Sequence, residues 1–199
     1  AWQRDNKIEV NELFRADGLH RILYKCPHCG AENQMEGKGI HLKCHACKKQ
    51  WKMDQYGQLS ANKGDTEYPH IPDWYKWQRE CVRREIEDGT YLIDTDVDIM
   101  IQVNLDGVCN IGEGHLTHNA EGFRLTGAEG RLDYKQAPDF THTLYADYYW
   151  YEIGDVICIG TSDCLYYCFP KDSTPVAKTR LAAEELYKLA KARKPVATA

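Results

Sequence analysis

Cys26-Pro27-His28-Cys29 is followed, after 14 intervening residues, by Cys44-His45-Ala46-Cys47. A Cys-x2-Cys turn aims two thiolates at one point, and two such turns close a tetrahedral four-sulfur shell around a zinc ion. Cys26, Cys29, Cys44 and Cys47 are therefore the expected ligands. Four protein ligands leave no position for water or substrate, so the zinc is expected to be structural, with no catalytic residue around it. Gly30 stands just after the first pair, where the chain commonly needs a positive φ, and Lys48 holds the equivalent place after the second. The alternative is four unrelated reduced cysteines. His28, His41 and His45 lie nearby in sequence, but a saturated ion has no use for them, and they read as surface histidines.

The segment Trp51 to Leu59 alternates apolar and polar residues and turns near Gly57, which completes a zinc ribbon over residues 25–60. A segment this small buries too little apolar surface to fold alone. Metal binding, an apparent ~10–16 kcal/mol in zinc peptides, is expected to supply the difference.

The other cysteines bear on compartment. The 199-residue chain has nine in all, an odd number, which points to a reducing environment, the cytoplasm, and away from a disulfide framework. Cys81, Cys109, Cys158, Cys164 and Cys168 lack spacing partners and read as small buried hydrophobes. No apolar run approaches the ~18–20 residues of a bilayer span. The chain opens on Ala1-Trp2 without an initiator Met, which points to a piece of a longer protein.

A net charge of −5 argues against a dedicated nucleic-acid binder. The charge is unevenly placed. Residues 1–54 hold ten basic and seven acidic groups, a balance of +3, which leaves −8 for the rest. Lys38, Lys43, Lys48, Lys49 and Lys52 form a weak basic patch. It reads as a solvated face, or as one that leans on an anionic membrane at about 1 kcal/mol per group.

After a connecting segment over residues 1–24 and the ribbon, residues 61–90 read as a linker and a helix. Pro72 and Asp73 open the helix and Asp88-Gly89 closes it, with Trp74, Trp77, Cys81, Val82 and Ile86 along one side. That stripe is expected to pack between the ribbon and the barrel. Residues 91–199 form the last region. Tyr91, Ile93, Thr95, Val97, Ile99, Ile101 and Val103 share one face of a long strand, and Asp94, Asp96 and Asp98 the other, read as solvated. Turn signals then recur at Asp106-Gly107, Gly112-Glu113-Gly114, Asn119 to Gly122, Gly127 to Gly130 and Ser162-Asp163. Val156 to Gly160 and Cys164 to Phe169 read as a hairpin. Thr174-Pro175 begins a terminal helix whose end gathers Lys188, Lys191, Arg193 and Lys194. The expected fold class is mainly β (α+β): a small zinc ribbon plus an antiparallel barrel capped by a C-terminal helix.

Seven or so antiparallel strands followed by one amphipathic helix resemble the pleckstrin-homology-like superfold, which implies a β-barrel with the helix plugging an open corner. Its inositide-binding members carry a basic first hairpin. Here the turns offer Glu113, Glu121 and Glu129, so the resemblance implies fold and little more.

A longer resemblance rests on Arg4-Asp5-Asn6-Lys7-Ile8, Phe14 to Leu19, Leu23-Tyr24-Lys25, Ile71-Pro72-Asp73-Trp74 and the aromatic stretch Tyr148 to Asp155. These strings are similar to the region carboxy-terminal to the catalytic domain in bacterial 1-acyl-sn-glycerol-3-phosphate acyltransferase-like proteins. The resemblance implies a phospholipid-biosynthesis parent and an attached catalytic domain. In that setting this region would place the enzyme at the inner face of a membrane or against a protein partner. The family's His-x4-Asp signature has one match, His142 to Asp147. A single hit among eight histidines is what chance provides, and no Glu-Gly-x-Arg comes after it; Glu121-Gly122-Phe123-Arg124 precedes it. No catalytic motif is therefore expected in this chain. The competing expectation is a free-standing zinc-ribbon module that contacts nucleic acid or protein.

Overall fold

In the computed structural model, which describes residues 2–103 and 107–193, the chain divides into two units, Ala1–Glu80 and Cys81–Ala199. The first opens with a short helix, α1 (Trp2–Asp5), and builds a four-stranded antiparallel sheet from β1 (Met35–Lys38), β2 (His41–Cys44), β3 (Gln50–Met53) and β4 (Leu59–Ala61), in that order. Period-two alternation turns Leu42, Trp51, Met53 and Leu59 inward. The turn after β3 falls where the sequence places it. Gly57 has a φ of 73°, and the Asp54 carboxylate accepts the Tyr56 and Gln58 amides at 2.9 and 2.8 Å.

Residues 1–24 do more than connect. Ala16, Leu23 and Tyr24 are buried, and the chain passes so close to β1 that a Cβ on Gly37 would lie 2.2 Å from the Ala16 carbonyl oxygen. Only glycine permits that approach.

The helix expected over 72–88 is α2 (Ile71–Glu87), its first residues in the first unit. Trp74 is fully buried against Trp51, with ring centroids 5.0 Å apart and nearly edge-on, and its indole N–H donates to the Lys25 carbonyl at 3.0 Å. Gln78 is also fully buried. Its amide donates to the Ile22 carbonyl and accepts from the Lys25 N–H, both at 3.0 Å. A buried amide is tolerated because its partners are supplied, and the same bonds hold α2 to the strand of chain that enters the first knuckle. Replacing Gln78 by Leu is expected to cost about 1–3 kcal/mol for each main-chain group left unpaired. Urea denaturation monitored by tryptophan fluorescence would detect the shift; a midpoint within error of the parent would refute the pairing.

The second unit is a seven-stranded antiparallel sheet. Its strands are β5 (Ile93–Val103), β6 (Val108–Asn119), β7 (Gly122–Gly127), β8 (Leu132–Gln136), β9 (Tyr145–Trp150), β10 (Gly154–Gly160) and β11 (Cys164–Pro170), ordered β8-β7-β6-β5-β11-β10-β9. The meander returns on itself, because the last strand pairs with the first. A terminal helix, α3 (Val176–Arg193), packs against β9 and β10. The core is built by Val97, Ile99, Leu116, Leu125, Ile157, Ile159 and Cys168 with Val176 and Ala183 of α3. At the end of α2, Arg83 pairs with the buried Glu185 of α3 at 2.9 Å and Glu85 with Lys178 at 2.8 Å.

The fold class is as expected, mainly β within α+β, but several expectations are corrected. The barrel is not closed: among the described residues, β8 and β9 end the sheet without pairing with each other. Gly112-Glu113-Gly114 is no turn and lies inside β6. A register shift opposite Ile99 and Met100 bends the strand there, and a Cβ on Gly114 would lie 2.3 Å from the Thr126 carbonyl. Beyond this irregularity the alternation of β5 weakens, and Val103 is exposed. Cys109 is also exposed and Cys164 half-buried, because both sit at strand beginnings past the edge of the core; Cys81, Cys158 and Cys168 are buried. Asp106 of the Asp106-Gly107 turn and Lys194 lie outside the described residues.

Candidate metal centre

Each Cys-x2-Cys pair sits in a backbone knuckle closed by two hydrogen bonds. In the first, Gly30 N–H donates to the Cys26 carbonyl and Cys26 N–H to that of Ala31; in the second, Lys48 N–H donates to Cys44 and Cys44 N–H to Lys49, all at 2.9 Å. Both knuckles end in the left-handed region, Gly30 at φ 75° and Lys48 at φ 65°. Lysine there costs about 1–2 kcal/mol that glycine avoids, and the second knuckle keeps its shape regardless.

The knuckles face each other, and the four Sγ atoms of Cys26, Cys29, Cys44 and Cys47 lie within 4.8 Å of one another. The separations Cys26–Cys47 and Cys29–Cys44 are both 3.8 Å. Cys26 and Cys44 are buried, Cys47 is half-buried and Cys29 is exposed. Burial pushes the Cys26 and Cys47 thiols up, since charge is costly out of water. At Cys29 burial acts the same way but is outweighed by the Ala31 amide and the neighbouring thiols, which hold it below its ordinary value. Sulfurs packed this closely share one divalent cation far better than they carry charge alone, so the cluster is suited to binding a metal ion.

Two of the nearby histidines have carboxylate partners, and the Nδ1 of the third, His41, is buried without a hydrogen bond. His28 Nδ1 meets Glu67 Oε1 at 3.1 Å and His45 Nε2 meets Glu36 Oε2 at 3.1 Å; both rings are exposed. His41 is half-buried. Glu67 also takes the Lys49 ammonium at 2.5 Å and the Trp51 indole N–H at 3.2 Å. It links the ribbon core to the surface, a role with no signal in the sequence.

His142 and Asp147 have separate environments. The His142 ring stands edge-on to Tyr187 with centroids 5.2 Å apart and its Nδ1 is 3.2 Å from Thr143 Oγ1, whereas Asp147 accepts the Tyr148 amide at 2.7 Å. Arg124 pairs with Asp133 at 3.0 Å across β7 and β8.

Asp94, Asp96 and Asp98, expected to be merely solvated, are exposed but engaged. His115 on the neighbouring strand bridges two of them, Nε2 to Asp94 at 2.8 Å and Nδ1 to Asp96 at 2.9 Å, and Lys171 meets Asp98 at 3.2 Å and also Glu113. Antiparallel register, Asp96 opposite His115, creates the clamp, which no local pattern predicts. The hydrogen bond to Asp96, with the charge of both carboxylates, raises the His115 pKa above the ordinary 6.5. A raised folded-state pKa stabilises fully below the unfolded value and loses that contribution as pH climbs through the folded one. The thermal midpoint of the second unit is therefore expected to fall slightly as pH rises from 6.5 through that raised pKa, and His115→Gln to flatten that slope. An identical pH profile in the variant would disprove the clamp's contribution.

No family model, curated protein or solved structure matches the chain. Among the described residues, no helix is long and apolar enough to cross a membrane. Fold and site together define a mainly β protein with a four-cysteine centre suited to a metal.

Proposed function

We propose that the chain is a non-catalytic binding region in which a structural zinc ion folds the ribbon. The observation that carries this reading is the sulfur geometry. A tetrahedron with Zn–S bonds of ~2.3 Å has edges of about 3.8 Å, the separation found for Cys26–Cys47 and Cys29–Cys44, two of the six sulfur pairs. Soft thiolates select zinc or iron over calcium or magnesium. Zinc has no redox chemistry, and with four sulfurs bound it keeps no open position. Elemental analysis of protein purified without chelators is expected to find one zinc per chain; iron, or no metal, would overturn the assignment.

In the setting that the family resemblance implies, this region is attached to a lysophosphatidate acyltransferase and positions it against a membrane surface or a protein partner in the cytoplasm. The support is the set of matching residue strings and the order of elements. Purified chain given lysophosphatidate and an acyl thioester is expected to transfer nothing. Thioester-dependent acylation that disappears in His142→Ala would reverse the reading.

One observation favours a second reading, the free-standing ribbon on nucleic acid. Lys48, Lys49 and Lys63 line a hollow of about 700 Å³ together with His28, Asp65 and Glu67, the last already paired with Lys49. Binding to duplex DNA and to anionic vesicles, each at two salt concentrations, separates the two. DNA affinity that falls steeply with salt while vesicles stay unbound would favour the second.

A further inference from the structure

The end of β9 and its connection to β10 depart from ordinary hairpin chemistry. Tyr149, Tyr151 and Glu152 all have positive φ, at 63°, 43° and 62°, where glycine or asparagine is usual. Backbone strain of this kind persists where surrounding structure imposes it, and it gathers at sites of function. Aromatic rings in and beside this segment face solvent. Tyr145, Tyr149 and Tyr151 are 53%, 54% and 81% exposed.

Beneath them lies an apolar layer on the face of the sheet opposite α3's core: Val156 and Cys158 of β10 with Tyr167 and Phe169 of β11. Trp150 folds back over this layer, its ring centroid 5.3 Å from Tyr167 and 5.7 Å from Phe169, and Tyr151 stands edge-on to Trp150 at 4.7 Å. On β9, Tyr145 lies opposite Cys158 and Asp147 opposite Val156, so a tyrosine and a carboxylate border the same aromatic surface.

The charge of this region has one sign. Residues 136–170 contain no lysine or arginine, and they hold Asp139, Asp147, Glu152, Asp155 and Asp163. Exposed aromatic faces attract cations through their quadrupole, and adjacent carboxylates add to that attraction. An anionic leaflet would be repelled by the same groups.

The geometry points to a docking surface, formed by Tyr145, Trp150 and Tyr151 with Asp147 and Glu152, for an extended lysine- or arginine-rich segment of a partner protein. Basic side chains lie across the rings and their ends meet the carboxylates. This adds a partner class to the binding-region reading and rests on it; zinc content tests that reading by itself, so either can fail alone.

The test uses the zinc-loaded chain and a fluorescein-labelled octapeptide of alternating lysine and serine, with its glutamate counterpart as control, read by anisotropy at low and at physiological salt. The lysine peptide is expected to bind and the glutamate peptide not. Tyr151→Ala and Asp147→Asn are each expected to weaken binding about tenfold, while Tyr151→Phe, which keeps the ring, retains it. Tyr151 is so exposed that its variants should keep the parent's circular dichroism. Asp163→Asn makes the same charge change at the other end of β10 and is expected to leave affinity unchanged. The inference is overturned if Asp163→Asn weakens binding as much as Asp147→Asn, since the attraction is then bulk charge. It also fails if Tyr151→Ala binds like the parent, if neither peptide binds, or if the hairpin instead takes up anionic vesicles.

Discussion

Stripping the proposed zinc with a chelator, or replacing Cys44 with serine, should unfold the four-stranded sheet of the first unit. Zinc peptides draw an apparent ~10–16 kcal/mol from their metal, more than a unit of this size has in reserve. Cys44 is the most consequential ligand to remove. It is buried, ends β2, pairs with Met35 across β1 and packs in the same cluster as Leu42, Trp51 and Trp74. Amide hydrogen exchange would follow the loss residue by residue. Protection should vanish across β1 to β4 and persist in β5 to β11, whose core contains no metal ligand. Full protection of β1 to β4 after metal removal would show that the apolar cluster suffices without the ion.

Trp74→Ala should be the most damaging single change outside the ligands, at about 3–5 kcal/mol. Three losses coincide. A fully buried indole leaves a cavity, its edge-on partner Trp51 loses a contact at 5.0 Å, and the Lys25 carbonyl loses its donor. Lys25 directly precedes Cys26, the first of the proposed ligands, so the variant should also release metal more readily. Chelator competition in parent and Trp74→Ala would measure this. A variant that unfolds earlier yet holds metal as tightly would confine Trp74 to packing. Trp74→Phe keeps most of the volume but not the N–H, and separates the two contributions.

Much of the molecule was legible locally because short-range chemistry governs those parts. The Cys-x2-Cys spacing pointed to the four cysteines that cluster: a knuckle is closed by hydrogen bonds between residues four and five apart, and nothing distant is needed to shape it. The limits of α2 and α3 come from proline, capping residues and apolar period, and the hairpin of β10 and β11 from two unbroken apolar runs around Ser162-Asp163.

Expectations failed, or none could be formed, where pairing between distant residues decides the outcome. Gly112 and Gly114 carry the local signature of a turn, yet they serve a strand that must bend and let β7 approach closely. His115 becomes a clamp because register sets it opposite Asp96, and Gln78 is tolerated in a core because Ile22 and Lys25 meet it there. The open seam between β8 and β9 and the aromatic surface over β10 and β11 belong to the same class. Composition and spacing thus determined the four-cysteine cluster and the element types, because those depend on bonds a few residues long. Which carboxylates, amides and rings would share a surface was decided only by tertiary structure, since antiparallel register and sheet order join residues that no local pattern relates.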